Sequence, residues 1–258
     1  MVQKFLSFET RYQIREEYKR AKKKLLLLDY DGTLANIAGT PAEAKPGARI
    51  LNLLDSLAAD ENNIVVLLSG RDRKTLEKWF PNNKLIYGAE HGALLKLAYE
   101  SEWRSIMDFD ISWKPEIKRT LDGFVNLYEG SFVEEKEYSL VWHYRLSRFK
   151  NESGELALMC NALEKLDSAR YIDIKQGKKI LEIGCPHANK GAAANLLLGI
   201  YKPGFVIAIG DDTTDEDMFA ALHQEGHYTV KVGLENTKAS FCLTNPGLVL
   251  SFLEFLAA

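Results

Sequence analysis

Apolar runs alternate with amphipathic segments in the first part of the chain. The apolar runs fall at residues 25–28, 64–68 and 85–87, and the segments 47–59 and 72–80 between them have helical periodicity. Short, continuously apolar strands joined by amphipathic helices are typical of a parallel sheet that is covered on both faces. This block therefore predicts a Rossmann-like α/β arrangement.

The same alternation returns near the C-terminus. The pattern predicts a helix at 190–200, a strand at 205–209, a helix at 214–223, a strand at 228–232 and a last helix at 247–256. Strands that alternate with helices in this way favour one mostly parallel sheet. The two blocks are therefore expected to form a single α/β core.

The residues between the two blocks follow a different pattern. A helix followed by a hairpin occurs twice, with the elements predicted at 115–128, 131–144, 154–166 and 171–183. This arrangement predicts a compact α+β unit inserted into the core. The core is accordingly assigned to residues 1–110 and 186–258, and the inserted unit to residues 111–185.

An N-terminal extension, residues 1–24, precedes the first apolar strand. Its segment 10–24 mixes charges with spaced apolar residues and contains neither glycine nor proline, which predicts an exposed amphipathic helix. The basic run at 20–24 is interpreted as the solvated end of that helix, where cations interact favourably with the helix dipole.

Composition narrows the range of functions. Of the 258 residues, 46% are hydrophobic and 27% are charged, which provides enough apolar material for a sizeable core. The formal net charge of −3 gives no overall attraction to nucleic acids or anionic membranes. The first residues lack the apolar stretch of a secretory signal, and no segment is apolar over the length of a membrane span. A soluble protein with small-molecule partners is expected, without a nucleic-acid or membrane partner.

Cysteine usage points to the compartment. The three cysteines, Cys160, Cys185 and Cys242, lie far apart in the sequence and form no CxxC pair. This spacing argues against a disulfide framework and against a thiolate zinc site. A reducing, cytoplasmic location is therefore expected.

Polar residues follow three of the predicted strands. Asp29 and Asp31 follow the first strand, the triplet SGR at 69–71 follows the second, and Asp211 and Asp212 follow the strand near residue 209. Each of these residues could by itself be a turn former or a helix cap. Ligands of open α/β sheets, however, bind beyond the carboxyl ends of the strands, so these side chains are expected to meet at one edge.

Carboxylates that meet at one edge need a positive partner. They would repel one another strongly unless a cation compensated them. Mg²⁺ prefers oxygen ligands and typically binds one or two carboxylates together with a substrate phosphate. Lys190, at the start of a predicted helix, supplies a charge suited to phosphate beside free backbone N–H groups. The sequence therefore predicts a site that holds a phosphoryl group against Mg²⁺.

Four segments together resemble the motifs of the haloacid dehalogenase (HAD) superfamily of phosphatases. In chain order they are DYDGTL at 29–34, SGR at 69–71, Lys190 and GDDTTD at 210–215. The combination is far more specific than any single segment. The resemblance implies an HAD fold and a Mg²⁺-dependent phosphatase reaction.

The resemblance assigns chemistry to the aspartates. Asp29 would be the nucleophile that forms an aspartyl-phosphate, and Asp31 would protonate the leaving oxygen and then deprotonate the attacking water. Mg²⁺ would bind to Asp29, to the backbone carbonyl of Asp31 and to Asp211. Asp212 and Asp215 would be further ligands or would orient metal-bound water.

Other core residues would contact the substrate. Ser69 and Lys190 would hold the transferring phosphoryl oxygens, since phosphoryl transfer depends on positioning and charge neutralisation. Gly32, where the chain turns tightly behind the aspartates, and Arg71 are candidate substrate contacts. For Arg71, pairing with a nearby acid in a structural role is an equal alternative.

The inserted unit lies between the second and third motifs, at the position of the C2-type cap, or lid, of phosphatases that act on small phosphorylated sugars. Such a lid closes over the substrate and supplies recognition groups. Three stretches resemble the trehalose-6-phosphate phosphatase family: GAEHG at 88–92, EEKEYSLVWHYR at 134–145 and KKILEI at 178–183. The sugar-binding residues that this resemblance implies are Glu90, His91, Glu134, Lys136, Lys178 and Glu182.

The resemblance implies hydrolysis of trehalose 6-phosphate to trehalose and phosphate. The opening segment is also similar to phosphatase domains that follow a synthase domain in fused trehalose enzymes, which implies a link to a synthase domain or protein. The core motifs leave a phosphatase of sucrose 6-phosphate or of a hexose phosphate open. Two alternatives of another class are a phosphoacceptor receiver domain, which the acid at position 31 and the large insertion disfavour, and a phosphosugar sensor, which the retained aspartate pair disfavours.

Overall fold

The computed structural model of the protein describes the residue ranges 4–147, 149, 152–177, 179–222 and 224–258. In these ranges the strands are, in chain order, β1 (Lys24–Leu28), β2 (Asn63–Leu68), β3 (Ile86–Ala89), β4 (Leu94–Lys96), β5 (Arg104–Ser105), β6 (Phe132–Glu135), β7 (Ser139–His143), β8 (Asp173–Gly177), β9 (Ile180–Gly184), β10 (Phe205–Gly210), β11 (His227–Val232) and β12 (Phe241–Leu243). The α-helices are α1 (Phe8–Arg20), α2 (Ala48–Ala59), α3 (Arg73–Trp79), α4 (Lys114–Leu127), α5 (Glu152–Glu164), α6 (Lys190–Tyr201), α7 (Asp215–Ala220) and α8 (Pro246–Ala257).

The chain forms two compact units. The first comprises Met1–Ile106 and Asn189–Ala258, and the second comprises Met107–Ala188. The sequence pattern assigned residues 111–185 to the inserted unit, a range that lies within the second unit. Each unit has a sheet and a hydrophobic core of its own.

The sheet of the first unit runs in the order β12-β11-β10-β1-β2-β3-β4-β5. The strands from β12 to β3 pair in parallel, and β4 and β5 add an antiparallel edge. The predicted α/β core with a Rossmann-like parallel sheet is therefore confirmed. The sequence pattern did not predict β4, β5 and β12, because strands of two or three residues are too short to show a period.

After its first residue, Lys24, the central strand β1 is apolar because helices cover both faces of the sheet. Its residues Leu25–Leu28 are fully buried. Leu25 and Leu27 pack with Leu197 of α6 and Met218 of α7 in one cluster. A buried parallel strand of this kind positions whatever follows its carboxyl end with little freedom.

The N-terminal helix ends earlier than the sequence pattern predicts. Helix α1 stops at Arg20, because Ala21 has an extended backbone, and Lys24 already belongs to β1. Lys24 is 5% exposed, and its Nζ donates a hydrogen bond to Asp60 Oδ2 at 2.6 Å. The interpretation of residues 20–24 as a solvated helix end is therefore wrong for Lys24.

The second unit is a four-stranded antiparallel sheet with two helices. Its strand order is β6-β7-β9-β8, and α4 and α5 pack against one face. Leu140, Trp142 and Leu181 project into that core. Successive side chains of a strand alternate between the two faces. Glu134 and Glu182 both pair with Val141, which lies between Leu140 and Trp142, so they project from the opposite face.

No helix among the described residues is both long enough and apolar enough to span a bilayer.

Candidate active site

Three buried carboxylates lie together in the first unit. Asp29 follows β1, Asp211 follows the adjacent strand β10, and Asp215 opens α7. The backbone N–H of Asp29 donates to the carbonyl of Ile209 at 3.0 Å, which ties the two strand ends together. One carboxylate oxygen from each aspartate lies within 4.8 Å of the others, and the three residues are 5%, 8% and 0% exposed. The carboxyl ends of parallel strands thus bring together acids that are far apart in the sequence.

A buried lysine connects two of these carboxylates. Lys190, the first residue of α6, donates from Nζ to Asp29 Oδ1 at 2.6 Å and to Asp215 Oδ1 at 2.7 Å. It lies at this position because the side chain of Asn189 caps the helix by accepting from the N–H of Ala192. The ammonium therefore holds the side chains of the two aspartates in fixed orientations.

Burial makes this cluster electrostatically costly. It raises the pKa of Asp29 to about 6; Lys190 opposes the shift and Asp211 adds to it. Burial also raises the pKa of Asp215 to about 6, again against Lys190. Burial disfavours the charged form of Lys190 itself, but Asp215 and Asp29 outweigh it and hold the pKa of the lysine above its ordinary value. With all groups ionised, the cluster contains three carboxylates and one ammonium.

The turn after Asp29 depends on a glycine. Gly32 has a φ of +84°, and a β-carbon there would overlap the carboxylate of Asp211. Thr33, which is fully buried, donates from Oγ1 to Asp211 Oδ1 at 3.4 Å. The turn and the Asp211 carboxylate are therefore packed directly against each other.

Asp31 and Arg71 form a two-point ion pair. Arg71 donates from Nε to Asp31 Oδ2 and from an Nη to Asp31 Oδ1, both at 2.7 Å. Its guanidinium lies over the ring of Trp79, 4.2 Å from the centroid. This pairing is the structural alternative that the sequence left open for Arg71, and its role as a substrate contact stays a prediction.

The loop after β2 joins the turn after β3. Ser69 is 1% exposed, and its carbonyl accepts from the N–H of His91 at 2.9 Å. The N–H of Glu90 donates to the carbonyl of Arg71 at 3.0 Å. The His91 ring lies so close to Gly70 that a β-carbon there would be 2.6 Å from Cε1. Four residues predicted for the site, Ser69, Arg71, Glu90 and His91, thus come from two loops that hydrogen-bond to each other.

Asp212 differs from its neighbours in the same motif. Its Oδ1 accepts from the N–H of Thr213 at 2.6 Å, while its own N–H donates to Asp215 Oδ2 at 2.9 Å. The Asp212 carboxylate is turned into its own loop, whereas Asp215 joins the buried cluster. A metal-ligand role for Asp212 or for the carbonyl of Asp31 stays a prediction.

The chemistry of the cluster fits a hard divalent cation. Its donors are carboxylate oxygens from Asp29, Asp211 and Asp215, and Mg²⁺ prefers ligands of this type. The raised pKa values of Asp29 and Asp215 show that burial leaves their negative charge under-compensated. A cation with two positive charges would balance the excess of carboxylates over the single ammonium.

The sugar-binding candidates of the second unit lie on the polar face of its sheet. Lys136 Nζ is 3.7 Å from Glu182 Oε1, which also accepts from Ser139 Oγ at 3.0 Å. Glu134 Oε2 lies 2.8 Å from Nε2 of His143. The structure thus places Glu134, Lys136 and Glu182 on one face. Lys178 lies outside the described residues.

One residue near the carboxylates did not appear in the sequence predictions. Lys231 of β11 is 4% exposed and donates from Nζ to the backbone carbonyl of Asp211 at 2.6 Å. The available signal was a lysine near the end of a predicted buried strand, in the run YTVKV at 228–232. A charge at such a position requires a partner at the strand end.

Comparisons with known proteins identify the relatives of this chain. Residues 27–246 match the family model described as trehalose-phosphatase. A bifunctional trehalose-6-phosphate synthase/phosphatase from Thermoproteus tenax is 37% identical over 95% of this chain and 33% of its own length. The chain spans about a third of the length of the curated relatives that it matches first.

Solved structures agree with the match to the trehalose-phosphatase family model. The C-terminal domain of the trehalose-6-phosphate phosphatase from Candida albicans superposes with a TM-score of 0.90 at 30% identity, covering 99% of this chain and 98% of that one. A haloacid dehalogenase-like hydrolase from Bacteroides thetaiotaomicron has a TM-score of 0.68 at 17% identity, over 91% of this chain and all of that one. The second likeness concerns the fold alone.

Proposed function

Because the chain belongs to the trehalose-phosphatase family, we propose that it is a phosphoric monoester hydrolase that converts trehalose 6-phosphate to trehalose and phosphate. The observation that carries this proposal is the buried cluster of Asp29, Lys190, Asp211 and Asp215 at the strand ends. Such a cluster suits phosphoryl transfer, in which positioning and charge neutralisation dominate.

In the first step, a carboxylate oxygen of Asp29 attacks phosphorus and the bond from phosphorus to the sugar oxygen breaks. Lys190 favours this step because its hydrogen bond to Asp29 Oδ1 fixes the orientation of the nucleophile. Asp31 donates a proton to the departing sugar oxygen. The products of this step are the free sugar and an aspartyl-phosphate on Asp29.

In the second step, water attacks the phosphorus of the aspartyl-phosphate and releases Asp29. Asp31 takes the proton from that water, which restores its starting protonation state. Asp31 can act in either step only if its carboxylate leaves the two-point pair with Arg71. We therefore propose that the Asp31–Arg71 pair represents a resting arrangement, which substrate binding replaces.

Mg²⁺ is the cofactor that we propose for this site. Asp29, Asp211 and Asp215 would hold it, with the carbonyl of Asp31 and Asp212 as further candidates. When bound, Mg²⁺ would neutralise the negative charge that gathers between the phosphate and the carboxylates. Ser69 and Lys190 would then bind the phosphoryl oxygens, with Gly32 at the tight turn beside them.

The second unit is proposed to act as the cap that recognises the sugar. A disaccharide presents many hydroxyl groups, so its recognition requires several charged or amide groups on one surface. Glu134, Lys136 and Glu182 share such a surface, and they carry this part of the proposal. Glu90 and His91 of the first unit, and Lys178, complete the proposed sugar-binding set.

The wider setting follows from the relatives. One relative combines a synthase and a phosphatase in its name, which supports a functional link between this chain and a trehalose-6-phosphate synthase domain or protein. A cytoplasmic location stays a prediction from the sequence.

The direct test is phosphate release in the presence of Mg²⁺ from a panel of substrates. The panel contains trehalose 6-phosphate, sucrose 6-phosphate, glucose 6-phosphate and p-nitrophenyl phosphate. We expect a strong preference for trehalose 6-phosphate. A preference for sucrose 6-phosphate or glucose 6-phosphate would contradict the substrate while keeping the phosphatase, and no phosphate release from any compound would contradict the enzyme class.

A variant and a matched control test whether the second unit recognises the sugar. Glu182→Gln removes one charge from the polar face, and we expect the KM for trehalose 6-phosphate to rise about 10-fold, the effect of losing one hydrogen bond to a charged group. The kinetics with p-nitrophenyl phosphate, which has no sugar hydroxyl groups, should not change. Glu164→Gln, at an exposed position of α5 in the same unit, is the matched control. Equal changes with both substrates would contradict a sugar-binding role.

A further inference from the structure

A second buried lysine lies behind the Asp211 loop. Lys231 belongs to β11, where its backbone pairs in register with Gly210 of β10, the residue before Asp211. Its Nζ donates to the carbonyl of Asp211 at 2.6 Å and approaches the carbonyl of Asp212 at 3.4 Å. The side chain is 4% exposed. The ammonium is thus directed at the backbone of the loop that carries the proposed metal ligand.

Glu216 balances the charge of this lysine and links it to a further loop. Its Oε1 is 3.7 Å from Lys231 Nζ and accepts from Thr237 Oγ1 at 2.7 Å. Its Oε2 accepts from the N–H of Lys238, also at 2.7 Å. The ammonium thus donates hydrogen bonds to the two backbone carbonyls and forms an ion pair with this carboxylate. Lys231 is therefore held in one position.

The position of the Asp211 backbone matters because its side chain has little room. The carboxylate packs directly against Gly32, where a β-carbon would overlap it, and Thr33 donates to it at 3.4 Å. Mg²⁺ requires near-ideal octahedral geometry, so a small displacement of one ligand is costly. A group that fixes the 211–212 backbone therefore acts on the metal ligand itself.

We infer that Lys231 is a positioning residue for the metal site, a role that rests on the proposed function. It sets the orientation of Asp211 through its hydrogen bonds to the backbone carbonyls and not through its charge. The reason is that Glu216 compensates the ammonium, so the pair adds no net charge to the three carboxylates and Lys190. Groups that orient the ligands of a metal commonly change its affinity 10- to 100-fold when they are removed.

The test is calorimetric titration of the full, metal-stripped chain with Mg²⁺, without substrate. We expect Lys231→Met to bind Mg²⁺ about 10- to 100-fold more weakly than the wild type. Lys231→Arg, which keeps the donors, should recover part of the affinity. If the methionine variant does not fold, Lys231→Gln replaces it; with one donor group left, it should have an intermediate affinity.

Lys24→Met is the matched control. Lys24 is an equally buried lysine with a carboxylate partner at 2.6 Å, but it lies at the opposite, N-terminal end of β1. The Lys24→Met substitution should lower the melting temperature without changing the Kd for Mg²⁺. A wild-type Kd in Lys231→Met or Lys231→Gln would overturn the positioning role while leaving the proposed function intact. Absence of Mg²⁺ binding by the wild type would overturn the metal site and this inference together.

Discussion

At the scale of single residues, the site is defined by opposing charges in a buried space. Lys190 holds Asp29 and Asp215 at 2.6 and 2.7 Å, yet burial still raises the pKa of both acids to about 6. One ammonium is therefore not enough to neutralise the cluster. The arrangement is suited to receive both a cation and the phosphate that the cation accompanies.

Replacing the proposed nucleophile tests this arrangement most directly. Asp29→Asn keeps the size of the side chain but removes its nucleophilic oxygen, so we expect the turnover of trehalose 6-phosphate to fall on the order of 10⁴-fold or more, with no phosphoenzyme formed. The melting temperature should not decrease, because the substitution removes a carboxylate that burial disfavours. Rapid-quench detection of phosphoprotein is the measurement. Measurable turnover through a phosphoenzyme in this variant would show that another residue is the nucleophile.

Gly32 is the second residue whose replacement has a defined consequence. Gly32→Ala places a β-carbon at a φ of +84° and onto the carboxylate of Asp211. We expect a loss of about 1–3 kcal/mol in the free energy of unfolding, from backbone strain alone. Phosphatase activity should be lost as well because Asp211 is displaced. Urea unfolding and phosphate release measure the two effects.

A helical glycine provides the control. Gly199 lies in α6, and a β-carbon there would have no neighbour within 4 Å. Gly199→Ala should therefore stabilise the protein by about 0.5–1 kcal/mol and leave activity unchanged. Similar effects of the two substitutions would mean that the turn at Gly32 is not tightly packed.

At the scale of secondary-structure elements, buried lysines connect parts of the sheet to its surroundings. Lys24 joins the start of β1 to Asp60, which follows α2, and its ammonium lies 4.4 Å from the centroid of the Tyr18 ring of α1. Lys190 and Lys231 make the corresponding links at the other ends of the strands. Polar as well as apolar contacts therefore fix the strands at both of their ends.

The Lys24–Asp60 pair predicts a change in stability away from the site. Asp60→Asn leaves the buried ammonium of Lys24 without a compensating charge. Removing one partner of a fully buried pair costs about 3–5 kcal/mol, but the Asp60 side chain is 38% exposed, so we expect about 1–2 kcal/mol. Asp122→Asn, which breaks the exposed Lys118–Asp122 pair of α4, should change stability by less than about 0.5 kcal/mol. Chemical unfolding of both variants measures the difference, and equal losses would contradict the assignment.

The same pair predicts a dependence on pH. Burial opposes ionisation of Asp60, but hydrogen bonds from Lys24 and Asn62 outweigh it and lower the pKa of Asp60. An acid with a lowered pKa stabilises the fold above its ordinary pKa of about 4, and this contribution is lost as the pH falls through the lower value of the folded state. The difference in unfolding free energy between the wild type and Asp60→Asn should therefore shrink below about pH 4. A difference that is constant across this range would contradict the ion pair.

At the scale of the whole molecule, the buried carboxylates couple stability to pH, and the proposed metal site would couple it to Mg²⁺ as well. The raised pKa values of Asp29 and Asp215 mean that the folded protein binds protons more tightly than the unfolded chain. For such acids, stability falls as the pH rises from the unfolded pKa of about 4 through the folded pKa of about 6. A bound cation removes this penalty because it compensates the ionised form.

Thermal unfolding with and without metal provides the measurement. We expect Mg²⁺ to raise the melting temperature more at about pH 8 than at about pH 5, because protonated carboxylates do not bind it. Chelation should also abolish activity. An increase in melting temperature that is independent of pH would contradict the assignment of the buried carboxylates as ligands.

The order of elements in this protein was determined by its sequence. The four leucines of β1, the apolar runs of β2 and β10 and the helical patterns between them predicted the parallel sheet, because burial on both faces demands continuous apolar strands. The strand-end motifs also predicted which residues lie at the carboxyl edge. Both inferences depend on local patterns, which a single sequence displays directly.

Contacts between distant segments were decided only in the tertiary structure. In the folded chain, the Asp212 carboxylate accepts a hydrogen bond within its own loop, whereas Lys190 connects Asp215 to Asp29. Arg71 pairs with Asp31. Lys24 and Lys231 are also buried, and the partners of these two lysines could not be predicted from the neighbouring sequence. Side-chain orientation and charge compensation depend on groups that are far apart along the chain, so hydrophobic periodicity carries no information about them.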